Sequence, residues 1–257
     1  MLSIAIPSSA LINETDPKIK TFKIGMIARA CAIFRVEEIV IYRDPKLNES
    51  QFIKDVLEYA ETPQYLRKYI PIKRSLRYVG VLPPLKIPSH KSKRLKVGEI
   101  REGVIVDVAP DGTRWVDVGV KTLAPLKSKA KKGARVTVRI CSKSPLVVEE
   151  AKPIEYWGYR VRIAELKDVL SRKGVVVTSR RCKTPSLNEL KSLKTDLTFV
   201  FGSPEEGVFE IAERLGVNVG GRCWNTIPMQ GVETVRLEEA IYATLAILNY
   251  VRWLNEV

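Results

Sequence analysis

The stretch KIGMIARACAIFRVEEIVIY, residues 23–42, joins two hydrophobic patterns of different period. Over residues 22–34 the apolar side chains recur every three or four positions, which predicts a helix. Over residues 36–42 a short β-branched run predicts a strand. A strand-like run at 2–6 precedes this stretch, and a helical pattern at 48–60 follows it. Strands that alternate with helices predict an α/β fold with a parallel sheet.

The pattern changes beyond residue 62. Prolines at positions 63, 71, 83, 84 and 88 predict an extended connector over residues 63–90. Five short β-type runs then occur between residues 98 and 148, with a turn at Pro110-Asp111-Gly112. Short strands at this spacing around a tight turn predict a small β-barrel of the OB type.

The α/β pattern returns at residue 156. The predicted helices are 161–170, 204–215 and 237–254, and the predicted strands are 175–178, 197–201 and 217–219. The predicted division is a discontinuous α/β domain of residues 1–90 and 151–257, interrupted by an OB-like domain of residues 91–150.

Positive charge is concentrated in one third of the chain. Residues 63–152 contain 21 Lys and Arg against 7 Asp and Glu, whereas the remaining residues contain 22 of each sign. The segment therefore carries the whole net charge of +14. Such a field suits a polyanion, and RNA, DNA and an acidic membrane are all open alternatives. Nucleic acid is favoured, because neither a lipidation signal nor a basic amphipathic helix is found.

The remaining composition argues against several kinds of site. The four cysteines, Cys31, Cys141, Cys182 and Cys223, are widely spaced and His90 is the single histidine, so a metal site is not expected. Cys31 and Cys141 lie in apolar patterns, which predicts buried reduced thiols. Dinucleotide, P-loop, nucleophile-elbow and H-E-x-x-H motifs do not occur. With no apolar run of about 18 residues and no secretory signal pattern, a soluble, cytoplasmic protein is expected.

Three segments carry residues that simple structural roles explain only partly. In FVFGSPEEG, residues 199–207, Ser203 suits a helix N-cap, but Gly202 also allows a ligand to approach the backbone. In NTIPMQGVETVRLEEA, residues 225–240, the loop is too apolar for a solvent turn, and Arg236 opposes the helix dipole. In residues 23–42, Arg29 either reaches to solvent from the edge of its helix or takes part in function.

Together these segments resemble the signature elements of SPOUT methyltransferases. The GAI-x-R helix, the G-x-E-x-x-G strand end and the IPM…SLNVS-x-A loop and helix of the SpoU-like branch match residues 25–29, 202–207 and 227–240. The connector VGVLPPLKIPSH, residues 79–90, and the basic insertion that follows it are also similar to the archaeal and eukaryotic "putative RNA methyltransferase" family. That resemblance implies an enzyme that methylates structured RNA, with large-subunit ribosomal RNA as the substrate and uridine N3 as a candidate acceptor atom.

The resemblance also implies a C-terminal trefoil knot, a homodimer, and S-adenosylmethionine bound by the knot loops. It assigns the cofactor-binding role by position to Thr178, Ser179, Gly202, Ser203, Pro204, Glu205, Gly207, Ile227, Pro228, Met229, Gly231, Thr234, Val235 and Ala240. Two positions depart from the SpoU pattern. Pro204 stands at the place of the acid, with Glu205 one residue later, and Arg236 stands at the place of an asparagine.

Catalytic roles are predicted for two arginines. Arg29 would hold a phosphate or a developing oxyanion of the target nucleotide, and Arg236 would assist it. No histidine is at hand to remove a proton from a base, so Glu205, Glu233 and bulk water are the alternatives. Tyr156, Trp157 and Tyr159 suit either base stacking or packing.

Phosphate contacts are predicted for cations of the insertion and of the second α/β half. They are Lys91, Lys93, Arg94, Lys127, Lys129, Lys131, Lys132, Arg135, Arg180 and Arg181.

Two other functions are open. A catalytically silent RNA-binding or ribosome-assembly protein would keep this fold without binding S-adenosylmethionine. A DNA-binding regulator would need a recognition helix, and no helix-turn-helix pattern is found.

Overall fold

The computed structural model describes residues 1–193 and 196–256 and consists of two compact units. The α/β unit is formed by residues 1–60, 74–84 and 159–257, and the barrel unit by residues 61–73 and 85–158. These boundaries differ from the division at 90/91 and 150/151 proposed from the sequence. Residues 61–73, 85–90 and 151–158 group with the barrel, because side chains such as Glu61 and Trp157 bond to barrel strands.

The helices and strands follow one another in chain order. They are β1 (Leu2–Pro7), α1 (Pro17–Ile33), β2 (Glu38–Tyr42), α2 (Ser50–Glu61), β3 (Ile100–Val108), β4 (Arg114–Asp117), β5 (Ala124–Leu126), β6 (Arg135–Lys143), β7 (Leu146–Glu150), β8 (Arg160–Ala164), α3 (Leu166–Leu170), β9 (Val175–Thr178), α4 (Leu187–Lys191), β10 (Leu197–Val200), α5 (Val208–Arg214), β11 (Arg222–Trp224) and α6 (Leu237–Glu256). Three 3-10 turns, Gln64–Tyr69, Arg74–Leu76 and Val79–Val81, lie between α2 and β3.

The α/β unit is built on a six-stranded sheet in the order β11-β9-β10-β1-β2-β8, and every pair in it is parallel. Val40, Val177 and Val200 from three of these strands form one buried cluster with Val169 of α3 and Ile211 of α5. The four central strands β9, β10, β1 and β2 are buried nearly throughout, as expected for a parallel sheet covered by helices, whereas the edge strands β8 and β11 are more exposed. The predicted α/β class is confirmed.

Helix α1 begins five residues before the predicted helix. The Asp16 side chain accepts a hydrogen bond of 2.7 Å from the Lys18 backbone N–H, and Pro17 occupies the first helical position. An N-cap carboxylate followed by proline is a favourable helix start, because the capped N–H would otherwise lack a partner.

Three predicted elements of the second half were wrong. Residues 161–170 do not form one helix: β8 pairs in parallel with β2, and α3 starts only at Leu166. The predicted helix 204–215 begins at Val208 with Gly207 as its N-cap, so Ser203 does not cap it. The predicted strand 217–219 is replaced by β11, which pairs with β9. In the first and third cases the deciding partner is a distant strand, and in the second Ser203 and Glu206 form a local turn instead of a helix.

The barrel unit contains a five-stranded antiparallel sheet in the order β5-β4-β3-β6-β7. Strands β5 and β7 also lie in contact, so the sheet is nearly closed. Its interior is filled by aliphatic side chains, among them Ile105, Val116, Val138 and Val148. The short strand β5 was not predicted, because Pro125 at its centre interrupts the β pattern.

A buried ion network fastens the flanking segments to the barrel. Glu102, whose side chain is almost completely buried, accepts hydrogen bonds from Trp157 Nε1 (2.6 Å), Thr137 Oγ1 (2.6 Å) and Arg135 Nε (3.2 Å). Arg135 Nη1 also donates to Glu61 at 2.6 Å. Burial acts to lower the pKa of Arg135, but the attraction of Glu61 and Glu102 outweighs it and raises that pKa. The network therefore holds charged groups of the same unit together.

The cysteines divide into two groups. Cys31 is fully buried, as predicted, and burial raises the pKa of its thiol. Cys141 is exposed on β6, so the prediction that it is buried was wrong: the alternating strand turns it outward. Cys182 and Cys223 form a disulfide with a Cα–Cα distance of 5.6 Å.

Within residues 1–193 and 196–256, no cluster of three or more His, Cys, Asp or Glu side chains has the arrangement of a metal site. Nor does a helix there combine the length and hydropathy needed to span a bilayer.

Candidate active site

A cavity of about 350 Å³ lies at the carboxyl ends of β9, β10 and β11, within the α/β unit. Ligands of open parallel sheets bind at this edge, where loops from neighbouring strands meet. The lining residues are Thr178, Ser179, Arg180, Arg181, Phe201, Gly202, Ser203, Pro204, Glu205, Glu206, Gly207, Glu210, Trp224, Asn225, Thr226, Ile227, Gln230, Glu233, Thr234, Val235, Leu237 and Ala240.

Most of the residues predicted to bind the cofactor are in this cavity. Pro228, Met229 and Gly231 are the exceptions, and Met229 is 98% exposed with a positive φ of 54°. Of the three apolar residues expected to cover the cavity, only Ile227 lines it.

The cavity also contains residues that the sequence prediction did not include. They are Phe201, Glu206, Glu210, Trp224, Asn225, Thr226, Gln230 and Leu237. Arg180 and Arg181, which were assigned to RNA, and Glu233, a candidate proton acceptor, line it too. Most of these residues are sequence neighbours of the predicted ones, whereas Trp224 reaches the cavity because β11 pairs with β9.

The first wall is the loop that follows β9. Thr178 Oγ1 donates to the carbonyl oxygen of Val200 at 2.9 Å, which ties the end of β9 to β10. The Ser179 N–H donates to the Trp224 carbonyl at 3.1 Å, which ties the loop to β11. These two residues are thus held in place by backbone groups of both neighbouring strands.

The second wall is a tight turn over residues 202–207. The Ser203 N–H donates to the Glu206 carbonyl at 2.8 Å, and the Glu206 N–H donates back to Ser203 Oγ at 2.9 Å. A Cβ atom on Gly202 would lie 2.6 Å from the Glu206 oxygen and 2.7 Å from Gly207 Cα. Only glycine fits at position 202, because the opposing atoms are backbone and cannot rotate away.

Ion pairs anchor this turn from outside the cavity. Lys46 Nζ lies 2.8 Å from Glu205 and 3.1 Å from Glu206, and Arg214 bridges Glu206 (2.6 Å) and the buried Asp44 (2.9 Å). The hydrogen bonds from Arg214 and Lys46 lower the pKa of Glu206. Burial acts to raise the pKa of Asp44, but hydrogen bonds from Arg214 and Ser9 outweigh it and lower that pKa. Asp44 and Glu206 therefore stay ionised and balanced by cations at neutral pH.

The third wall is formed by β11 and the loop behind it. The Cys182–Cys223 disulfide joins the β9 loop covalently to β11. Asn225 strengthens this link, because its N–H donates to the Lys183 carbonyl at 2.9 Å and its Oδ1 accepts from the Ile227 N–H at 3.0 Å. Trp224 is 2% exposed and forms part of the cavity wall.

Arg180 and Arg181 contact acidic or carbonyl groups of the same cavity. Arg180 Nη1 donates to the Glu233 carbonyl at 2.9 Å, and Arg181 lies 2.5 Å from the Glu210 carboxylate. Both guanidinium groups therefore have partners inside the α/β unit.

The two arginines predicted to be catalytic are not among the residues that line the cavity. Arg29 lies on α1, and its Nη1 donates to the Pro84 carbonyl at 2.9 Å. Arg236 is exposed just before α6, where its backbone N–H donates to Glu239 at 3.0 Å. Within one chain, therefore, neither side chain is part of the cavity.

The single histidine is not among the residues that line the cavity. His90 belongs to the barrel unit, where its Nε2 bonds to the Glu61 carbonyl at 2.7 Å. Burial lowers the pKa of His90, although the hydrogen bond acts in the opposite direction. It therefore stays neutral at physiological pH in a structural position.

The aromatic residues proposed for base stacking have packing contacts. Tyr159 is 4% exposed, and its hydroxyl donates to the Leu57 carbonyl at 2.9 Å. Trp157 donates to Glu102, and the Lys91 ammonium lies 5.4 Å above its ring. Both contacts favour the packing alternative for these two rings.

The predicted phosphate-binding cations of the barrel unit differ in their surroundings. Lys93, Arg94, Lys127, Lys129 and Lys131 are exposed. Lys132 is exposed too, and its ammonium lies 3.4 Å from Asp107. Arg135 is exposed as well, but its guanidinium is paired with the buried carboxylates of Glu61 and Glu102, which gives it a structural role.

A parallel sheet with a glycine turn and a small-molecule-sized cavity at its carboxyl edge defines an α/β protein whose cavity lies where open parallel sheets bind ligands. The family follows from the sequence comparison. The model of the family described as "Putative RNA methyltransferase" matches residues 1–248, so the chain belongs to that family and is an RNA methyltransferase, as predicted.

Relatives match over nearly the whole chain. An uncharacterised protein of Haloarcula marismortui is 35% identical across 96% of this chain and 98% of its own length. The 28S rRNA (uridine-N(3))-methyltransferase of Homo sapiens is 32% identical across 96% of this chain and 77% of its own length. The protein of the same name from Mus musculus is 33% identical, with 96% and 76% covered.

Proposed function

We propose that this chain transfers a methyl group from S-adenosylmethionine to N3 of a uridine in large-subunit ribosomal RNA. The observation that carries the proposal is that the loop after β9, the turn at 202–207 and the loop after β11 line one cavity at the carboxyl ends of these strands. The names of the human and mouse relatives support the acceptor atom and the substrate.

The cavity suits S-adenosylmethionine in size and chemistry. Its volume of about 350 Å³ falls in the range of small-molecule sites. Phe201, Ile227 and Leu237 offer apolar surface for an adenine ring, and Thr178 and Asn225 offer polar groups beside it. The absent side chain at Gly202 leaves its backbone open to a ligand.

The residues of the chain would mainly align the reactants. The bound donor supplies an electrophilic methyl group on a sulfonium sulfur, which becomes a neutral thioether when the methyl group leaves. A uridine N3 gains the methyl group and loses its proton, so a proton acceptor is needed. Because Glu205, Glu206 and Glu210 are each paired with a cation, we assign this role to Glu233 at the exposed rim, directly or through water.

A homodimer would explain the position of Arg29. Helix α1 exposes Ile19, Phe22 and Ile33, which share one face with Arg29 at helical spacing. Exposed apolar residues in a row favour an interface, and we propose that a second copy covers them. In this dimer Arg29 reaches the cavity of the second copy, where it holds a phosphate or a developing oxyanion of the target nucleotide. Arg236 assists Arg29 in this role.

Finer features of the fold belong to the same proposal. The connection from β10 to β11 passes β9 in the strand order, which supports the implied trefoil knot. The nearly closed five-stranded sheet supports an OB-type RNA-binding domain, whose exposed lysines would contact phosphates. A cytoplasmic location stays a prediction.

The decisive experiment combines a calorimetric titration with mass spectrometry. We expect the protein to bind S-adenosylmethionine and to produce 3-methyluridine in large-subunit ribosomal RNA from a strain that lacks the gene. RNA binding without uptake of the donor would instead favour the catalytically silent RNA-binding protein. A methyl group found on another atom would keep the enzyme but reject uridine N3.

A further inference from the structure

Strand β4 carries a large aromatic side chain on the outer surface of the barrel unit. Trp115 is 37% exposed, while its neighbour Val116 is completely buried in the barrel core. Across the sheet, Trp115 pairs with Pro125 on β5 and with Asp107 on β3. The ring is therefore flanked by a flat apolar residue on one side and a carboxylate on the other.

A lysine-rich segment is fastened beside the same strand. Arg114, the residue before Trp115, donates from Nε to the Ala130 carbonyl at 3.3 Å, and its Nη1 donates to the Gly112 carbonyl. Ala130 lies between the exposed Lys129 and Lys131, so this arginine holds both lysines near β4.

The carboxylate next to Trp115 also attracts a cation. Lys132 Nζ lies 3.4 Å from Asp107 Oδ1, and Asp107 is the cross-strand neighbour of Trp115. Directly opposite residues of antiparallel strands lie about 5 Å apart. The pair neutralises the acidic charge beside the ring, and the exposed Lys129 and Lys131 belong to the same segment as Lys132.

From this arrangement we propose that Trp115 is a stacking platform for an unpaired RNA base, with Lys129 and Lys131 contacting the adjoining phosphates. The inference deepens the proposed function and rests on it. An exposed indole in a lysine-rich region suits single-stranded nucleic acid, because each base offers a π-face for stacking and each phosphodiester linkage carries a negative charge. Bases inside a duplex are already stacked on each other, so a duplex would gain only the phosphate contacts.

Affinity for two RNA probes of equal length tests the platform. The probes are a single-stranded oligouridine and a duplex RNA without overhangs, each titrated with the full chain. We expect Trp115→Ala to weaken binding of the single strand about 5- to 150-fold and to leave duplex binding unchanged. Trp115→Phe keeps a π-face and is expected to retain most of the affinity.

Two matched controls separate stacking from folding. Trp253→Ala removes an exposed tryptophan of the α/β unit, and Val147→Ala trims an equally exposed side chain of the barrel. Both are expected to bind the single strand as the wild type does. Trp115→Ala should still unfold in a single cooperative transition with at most a modest fall in midpoint, because the residue is 37% exposed and lies outside the buried core cluster.

Specific outcomes would overturn the platform. Equal single-strand affinities of Trp115→Ala and wild type would reject it, and so would an equal loss for both probes, since Trp115 would then only support the barrel. If the wild type binds neither probe but binds S-adenosylmethionine and methylates ribosomal RNA, the platform fails and the proposed function stands. If it shows none of these activities, both fail.

Discussion

The two units of the chain would bind their ligands in different ways. The cavity of the α/β unit is shaped by backbone atoms, namely the turn at 202–207 and the loops tied to β10 and β11. Its charged residues are balanced inside the unit, as Lys46, Arg214 and Arg181 show. The barrel unit instead exposes a run of lysines, among them Lys127, Lys129 and Lys131.

This difference matches two kinds of ligand. A small molecule of fixed shape is recognised by a rigid, preformed cavity, whereas a polyanion is attracted by a field that many side chains share. We therefore expect single changes in the α/β cavity to act sharply, and single lysine changes in the barrel to act weakly.

The largest effect is expected for a barrel residue with a structural role, the buried Glu102, rather than for one of the exposed lysines. Glu102→Ala removes the acceptor of Arg135, Trp157 and Thr137, and should lower the free energy of unfolding by about 3–5 kcal/mol. Denaturant unfolding followed by circular dichroism measures the loss. Glu149→Ala breaks only the exposed pair with Arg139 and should cost less than about 1 kcal/mol. Similar losses for both variants would contradict a special role of the buried network.

The next effect tests the proposed role of Arg29 in catalysis. Arg29→Ala should reduce the methyl-transfer rate about 100- to 1,000-fold, because stabilisation of developing charge is lost. Affinity for S-adenosylmethionine should stay nearly constant, since Arg29 does not line the cavity of its own chain. Single-turnover kinetics and calorimetry measure the two quantities. Equal loss of both would place Arg29 in donor binding rather than in transfer.

A smaller effect is expected for the turn at 202–207. Gly202→Ala should weaken donor binding about 5- to 150-fold, since overpacking against the Glu206 and Gly207 backbone costs about 1–3 kcal/mol. Gly220→Ala is the control, because nothing lies within 4 Å of a Cβ at that position. Calorimetric titration compares them. Unchanged binding by Gly202→Ala would show that the turn does not shape the donor site.

The smallest effect is expected for a barrel lysine. Lys129→Ala should weaken RNA binding less than tenfold and reduce the slope of log affinity against log salt by about 1, as expected for one lost phosphate contact. Fluorescence anisotropy at several salt concentrations gives this slope. A steep loss of affinity with an unchanged slope would point to a specific contact and would weaken the contrast between the units.

The sequence predicted the general fold because hydrophobic periods of helices and strands differ. It failed where pairing partners are remote. Residues 160–164 look helical together with Leu166 and Val169, yet they pair with β2, more than a hundred residues earlier. The position of β11 likewise depends on its pairing with β9.

The candidate site was predicted mainly through its signature segments. Gly202, Ile227 and Thr234 line one cavity, in line with the order of motifs in the chain. Two features had no local signal. Arg135 pairs with Glu61, 74 positions earlier, and Arg214 pairs with Asp44 in the loop after β2. Ion pairing between residues far apart in the sequence depends on how the elements pack, and the spacing of hydrophobic residues does not reveal that packing.

The bridge between Cys182 and Cys223 has a practical consequence for handling the protein. It closes a loop over a sequence separation of 41 residues, and loss of such a cross-link frees unfolded-state entropy worth about 4 kcal/mol. A preparation kept in dithiothreitol and one kept in air are thus covalently different molecules. In the first the wall of the cavity lacks the disulfide, and in the second the disulfide is present. Melting curves and titrations become comparable only when the thiol content of each sample is counted first.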